Sequence, residues 1–207
     1  MYYRTTARKS RGSFNDVRHL SYVQDDGRIF LGRKTYPLHP CLTSLLNFTS
    51  LDARVKEIEH QFSLTRGPVN VVLLDLDKFK SVNNSLGREV GDAVLADVAY
   101  QLRSGLRAYD LIYRLGADEF LVLVPGADLA HARRVGKDAQ AIVSQARVGP
   151  SVAVTASCGV SASVQGDPFD FATISAHADR ALCEAKRGDG FACKEGAYVE
   201  RFGAIAT

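Results

Sequence analysis

No apolar run in this chain approaches the roughly 20 residues that a membrane span needs. The first fifteen residues also lack the apolar core of a secretory leader. No membrane span is therefore expected, and the cytoplasm is the expected compartment. Cysteine is scarce: Cys41, Cys158, Cys183 and Cys193 form neither a C-x-x-C pair nor a disulfide framework. Cys158 and Cys183 fall in apolar periodic segments and are expected to be core thiols. The five histidines are scattered without ligand spacing, which argues against zinc. Charge of one sign is not in excess either. A formal net charge of +3 is too small to imply nucleic-acid binding. Much of it lies in Arg4, Arg8, Lys9 and Arg11, a basic tail read as solvated in preference to a docking arm. No segment has the size of a separate sensory domain, so any regulation by signal is expected to come from elsewhere, an unidentified regulatory protein being one candidate.

What remains is a chain of 207 residues, enough for one domain with a full core and a small appendage. Two strand-like runs, residues 19–23 and 28–32, flank Asp26-Gly27 and predict a β-hairpin, followed by a linker punctuated by Pro37 and Pro40. Residues 1–40 are thus read as tail, hairpin and linker, and 41–207 as the main domain. Helical spacing covers 42–64, and 69–76 is a continuous apolar run that suits a central strand covered on both faces. A short helix over 78–83 breaks around 84–87, and a longer amphipathic helix covers 89–106. A hairpin of runs 110–115 and 120–124 follows. Then come a helix over 128–146 capped by Asp128, a strand over 152–164, a helix over 169–187 and a possible edge strand. The order predicts an α/β (α+β) sandwich, with helices over a mainly antiparallel sheet.

Acidic residues stand where such a sheet should have none. Gly116-Ala117-Asp118-Glu119-Phe120 puts two carboxylates at the turn of an apolar hairpin, and the buried-looking strand 69–76 runs into Asp75-Leu76-Asp77. Burying that charge is costly unless a cation or a proton transfer uses it. Two acidic strand ends in one small domain suggest a divalent-metal site for phosphoryl chemistry. The plainer reading is that each is a solvated turn or a helix cap.

The surrounding text resembles a known family. Gly116 to Phe120 reads as GGDEF with Ala117 in place of the second glycine. Asp75-Leu76-Asp77-Lys78-Phe79-Lys80-Ser81-Val82-Asn83-Asn84 resembles that family's D-x-D-x-F-K-x-x-N-D, continued by Gly87, Gly91 and Asp92. Arg107-Ala108-Tyr109-Asp110 is similar to its R-x-x-D product-binding motif, with five residues separating Asp110 from Gly116. Ala178-Asp179-Arg180-Ala181-Leu182-Cys183-Glu184-Ala185-Lys186 is similar to its A-D-x-A-L-Y-x-A-K, and Leu42 to Asn47 is a worn version of its opening motif. The resemblance to GGDEF domains, which make or bind cyclic di-GMP, spans about residues 40 to 195.

It implies a polymerase-palm-like fold and a diguanylate cyclase that joins two GTP molecules within a homodimer. Asp75, Asp118 and the Leu76 carbonyl would hold two Mg²⁺ or Mn²⁺ ions per active site, with Glu119 in support. Lys80 and Lys186 would contact phosphate, and Asn83 and Asp92 would read guanine. Gly116, Ala117 and Phe79 would adjoin the GTP, although Phe79 fits core packing better. Arg107 and Asp110 would bind cyclic di-GMP as inhibitor, the plainer reading being an i,i+3 ion pair. A Cβ at Ala117 is expected to strain a left-handed turn or crowd the triphosphate. The family's glycine and arginine after Lys186 are replaced by Asp189 and Gly190, leaving Arg187 as the available substitute. Arg88 stands in place of a common histidine, and Pro40, Ser44 and Phe48 depart from the opening motif. The alternative function is an impaired module that senses cyclic di-GMP or GTP.

Overall fold

A computed structural model describes residues 20–21, 28–31, 34–37, 45, 48–65, 67–148, 152–163 and 169–195. The basic tail, the turn at 24–27, Pro40 and Cys41 lie outside the described residues. The expected hairpin is present as β1 (Leu20–Ser21) and β2 (Arg28–Leu31), and a third strand, β3 (Lys34–Pro37), extends it. Pro37, expected in a linker, instead ends that edge strand opposite Arg28, a position where its missing N–H removes no interior ladder bond.

The main sheet is built around β4 (Val69–Leu76), all eight residues of which are buried. Alternation along it assigns two cores. Val72, Leu74 and Leu76 face α3 (Arg88–Gly105) and α4 (Leu129–Gln145), together with Phe79 of α2 (Phe79–Leu86). Val69, Val71 and Leu73 face α1 (Phe48–Thr65) and α5 (Phe171–Ala185). An apolar strand with two apolar faces has nowhere to sit except mid-sheet. Its neighbours are β6 (Glu119–Pro125) and β9 (Ala156–Ala162), both antiparallel to it. β5 (Leu111–Arg114) pairs with β6 at one edge, and β10 (Phe191–Glu195) pairs with β9 at the other, giving the order β10-β9-β4-β6-β5. Four strands are antiparallel; only β10 runs parallel to its neighbour, because α5 carries the chain back across the sheet.

Several boundaries differ from the sequence reading. α1 starts at Phe48, and Leu45 precedes it in a bend while still packing on the core. α2 runs on to Leu86, so the expected break at 84–87 shrinks to Gly87 alone, with φ 89. The strand expected over 152–164 is divided into β8 (Val152–Ala153), which pairs with β7 (Arg147–Val148), and β9. Asp128 caps α4 as expected, its carboxylate accepting from His131 N–H at 2.7 Å. Asp170 caps α5 in the same way through Ala172 N–H. Cys158 is fully buried, and burial pushes its thiol pKa up; Cys183 is only half-buried. Among the described residues, no helix is long and apolar enough to cross a membrane.

α5 lies unusually close to the sheet. A Cβ on Gly159 of β9 would stand 2.3 Å from both the Ala178 carbonyl oxygen and the Leu182 nitrogen. Any side chain there would lift the helix, and with it Lys186 at its C-terminal end.

Candidate active site

The end of β4 and the turn between β5 and β6 form one corner. Leu76 N–H donates to the Asp118 carbonyl at 3.0 Å, and the N–H groups of Leu115 and Gly116 both donate to the Glu119 carbonyl. The strand register places Glu119 directly opposite Asp75. Residues so opposed share a face with Cβ atoms about 5 Å apart, and like charges there repel. A cation at the corner would offset that repulsion. Lys186 supplies one: its ammonium lies 2.6 Å from Asp75 Oδ2. Asp75 has the same parity as Val71 and Leu73, so its side chain belongs to the face that α5 covers.

The second acid of the Asp75-Leu76-Asp77 run does something else. Asp77 accepts from Thr155 Oγ1 and Ser157 Oγ, both at 2.7 Å, while its own N–H donates to the Thr155 carbonyl at 2.8 Å. It clamps the end of β4 to the start of β9. Lys78 follows with φ 54, the one non-glycine residue at positive φ among those described. That kink turns the chain from strand into α2.

Asn83 and Asp92 come from α2 and α3, the pair of helices that leaves this strand end. Asn83 is interior to α2, and its side chain lies on the backbone of Gly91: a Cβ on Gly91 would stand 1.8 Å from Asn83 Oδ1. Glycine at 91 is thus what lets Asn83 settle beside Asp92. Phe79 is 3% exposed and its ring also abuts Gly91; it holds the pair from within the core. Lys80 and Asp92 are exposed, and Lys80 sits one residue into α2.

Arg114, the last residue of β5, escaped the sequence reading. Its Nε donates to the Gly116 carbonyl at 2.9 Å and its Nη2 to the Ala117 carbonyl at 3.0 Å. Burial lowers its pKa from the usual arginine value, opposed by the negative charges of Asp92 and Asp118. One guanidinium thus braces the turn and lies within the field of Asp92 on α3. The available signal was a basic residue closing an otherwise apolar strand just before the turn. Ala117 itself is exposed and does not have positive φ. The expected left-handed turn is not formed, because these carbonyl bonds fold the loop with ordinary φ.

Arg107 and Asp110 lie at the α3–β5 junction. Asp110 Oδ2 accepts from the Arg107 backbone N–H at 3.1 Å, and Asp110 N–H returns a bond to the Arg107 carbonyl. The side chains do not form the i,i+3 ion pair of the plainer reading: the carboxylate closes the turn, and the Arg107 side chain is exposed. Burial raises the Asp110 pKa, partly offset by the Arg107 N–H bond and by the charges of His131 and Arg107. Tyr109 between them is 83% exposed.

The donors at the corner are oxygens: two carboxylates on facing strands, Asp118 beside them, and the Leu76 carbonyl. Among the described residues, no three His, Cys, Asp or Glu side chains converge closely enough to hold a metal ion by themselves. That set fits Mg²⁺, which takes one or two carboxylates and completes its shell with water and substrate phosphate. It does not fit a closed zinc site.

An acid-ended central strand, a braced acidic turn and an adjoining helix pair thus meet at one end of a mainly antiparallel α/β domain. Residues 38–190 match the family described as diguanylate cyclase, GGDEF domain, and the chain belongs to that family. It is 34% identical over 151 residues to the response regulator PleD of Caulobacter vibrioides, covering 70% of this chain and 33% of PleD. It is 35% identical over 125 residues to the diguanylate cyclase DgcZ of Escherichia coli, covering 58% of this chain and 42% of DgcZ. The chain thus spans between a third and a half of these relatives. Among solved structures, the isolated GGDEF domain of TpbB from Pseudomonas aeruginosa superposes with a TM-score of 0.67 at 31% identity, covering 77% of this chain and 94% of that one. The diguanylate cyclase SiaD of the same species, solved with its activator SiaC, gives a TM-score of 0.68 at 34% identity, covering 75% and 60%.

Proposed function

We propose that this chain is a diguanylate cyclase that condenses two GTP molecules into cyclic di-GMP as a homodimer. The observation that carries the reading is the single corner where Asp75, Glu119 and the Asp118 turn meet, next to Asn83 and Asp92 on the α2–α3 pair. Each bond forms by attack of a 3′ hydroxyl on an α-phosphate with loss of pyrophosphate, a reaction that needs charge neutralisation and in-line placement. Asp75, Asp118 and the Leu76 carbonyl would hold Mg²⁺ or Mn²⁺, two per site, which neutralises phosphate charge when bound. Asp92 and Asn83 orient the base: a carboxylate accepts from guanine N1 and N2 hydrogens that adenine does not offer. Lys80 and Lys186 hold the polyphosphate as point charges. The Arg114 brace keeps Asp118 and Glu119 at the corner, so little reorganisation is needed on binding. Arg107, with its side chain exposed beside a carboxylate-closed turn, would bind product.

A second reading, a module that binds GTP or cyclic di-GMP without turnover, draws support from Gly190. It holds the place of the family's arginine with φ 87, and its carbonyl is bonded to Cys158 N–H and Gln140 Nε2. Incubation with GTP and Mg²⁺, followed by chromatography for cyclic di-GMP, separates the two. Asp118→Ala is expected to abolish product while leaving the fold intact. Activity retained in that variant would remove the site assignment.

A further inference from the structure

We propose that Lys186 is a counter-ion latch, with its ammonium and a divalent cation as alternative occupants of the Asp75 carboxylate. The inference rests on the cyclase reading of this corner. Asp75 and Glu119 oppose each other on one face, and the Asp75 side chain is only 12% exposed. Such a carboxylate needs compensation in every state of the protein. Without a bound metal the compensation is the Lys186 ammonium at 2.6 Å, its own side chain 29% exposed. A hard cation would have to approach the same oxygens to about 2.1 Å. An ammonium in contact with Oδ2 and a cation of higher charge beside it exclude one another by space and by repulsion.

The backbone of Lys186 is fixed. It ends α5 in helical geometry, φ −64 and ψ −18, with its N–H bonded to the Leu182 carbonyl at 3.0 Å. Gly159 lets that helix lie directly on the sheet. The only mobile part is the four-carbon stem, which swings the ammonium away from Asp75 without shifting the helix. Released there, the charge stands beside the corner where a polyphosphate must lie. One side chain therefore exchanges a carboxylate partner for a phosphate partner as the site loads. Its influence on the two ligands should have opposite signs: it competes with the cation and assists the nucleotide.

Calorimetric titration of Mn²⁺ into the nucleotide-free chain tests the competition. Lys186→Met and Lys186→Gln should each tighten Mn²⁺ binding about fivefold, the loss of a partly exposed ion pair. Lys80→Met, which removes an exposed lysine of α2, should change it by less than about twofold. Asp75→Asn should remove the site. With Mn²⁺ present, Lys186→Met should weaken binding of α,β-methylene GTP about tenfold. If Asp75→Asn abolishes Mn²⁺ binding but neither Lys186 variant tightens it, the latch is overturned and the cyclase reading stands. Equal tightening in Lys80→Met would mean a general field effect and would also overturn it. If Asp75→Asn leaves Mn²⁺ binding unchanged, the cation site itself is misassigned, and the latch falls with it.

Discussion

Ala117 bears on how much freedom the acidic turn uses. The sequence suggested that a Cβ there would strain a left-handed residue. The turn instead keeps ordinary φ at 116 and 117, with Arg114 bonded to both carbonyls and the alanine exposed. The strain argument therefore fails, and only contact between the methyl and a bound triphosphate could make the alanine costly. Ala117→Gly is expected to change turnover at saturating GTP by less than about threefold. It should lower stability by about 0.5–1 kcal/mol, because glycine gives the unfolded chain more conformations to lose. Urea unfolding and a product assay on the two proteins check both parts. A rate gain above about tenfold, or 1.4 kcal/mol in the barrier, would show that the methyl obstructs the phosphate after all.

The β4 element shows what was legible and what was not. Its continuous apolar run announced a central strand, and the alternation within it decided which helices cover which face. The apolar pattern alone does not separate Asp75 from Asp77; only the family resemblance singled out Asp75 as a metal ligand. Their roles separate only through partners distant in the chain: Lys186 for Asp75, Thr155 and Ser157 for Asp77. The same long-range bond explains the missed interruption between β8 and β9, because Thr155 leaves the ladder to meet Asp77. Arg114 was missed for a related reason: its partners are backbone carbonyls, which carry no sequence signal. Local signals, such as the Asp128 cap, were readable, whereas the parallel pairing of β10 depended on the path of α5. The division of labour at β4 is testable. Asp77→Ala should cost about 2 kcal/mol in urea unfolding, since it strands two hydroxyls that donate to a charged acceptor at a partly exposed site. Asp75→Ala frees Lys186 into solvent and relieves Glu119, so it should cost less than about 1 kcal/mol. The reverse order would mean that Asp75 is the structural acid.

At the scale of the whole molecule, the proposed chemistry asks for more than one copy. On the proposed cyclase reading, the corner's one set of carboxylates and one Asn83–Asp92 pair would hold one GTP, whereas cyclic di-GMP contains two guanosines joined by two bonds. Each nucleotide must present its 3′ hydroxyl to the other's α-phosphate, which two identical sites facing across a two-fold axis achieve and one site does not. A chain disabled at Asp118 should then poison its partner. With a ninefold excess of Asp118→Ala under exchanging, fully dimeric conditions, only about one wild-type chain in ten finds a wild-type partner. Product per wild-type chain should fall about tenfold by this mass action. Wild type alone should show activity per chain that rises with concentration and levels off once dimers predominate. Both are read from cyclic di-GMP formed per minute at fixed GTP, with gel filtration at the same concentrations to follow assembly. Rates that simply add in the mixture, together with activity per chain independent of dilution, would mean that a single copy completes both bonds. That outcome would demand a second guanine-reading site on this chain beyond Asn83 and Asp92.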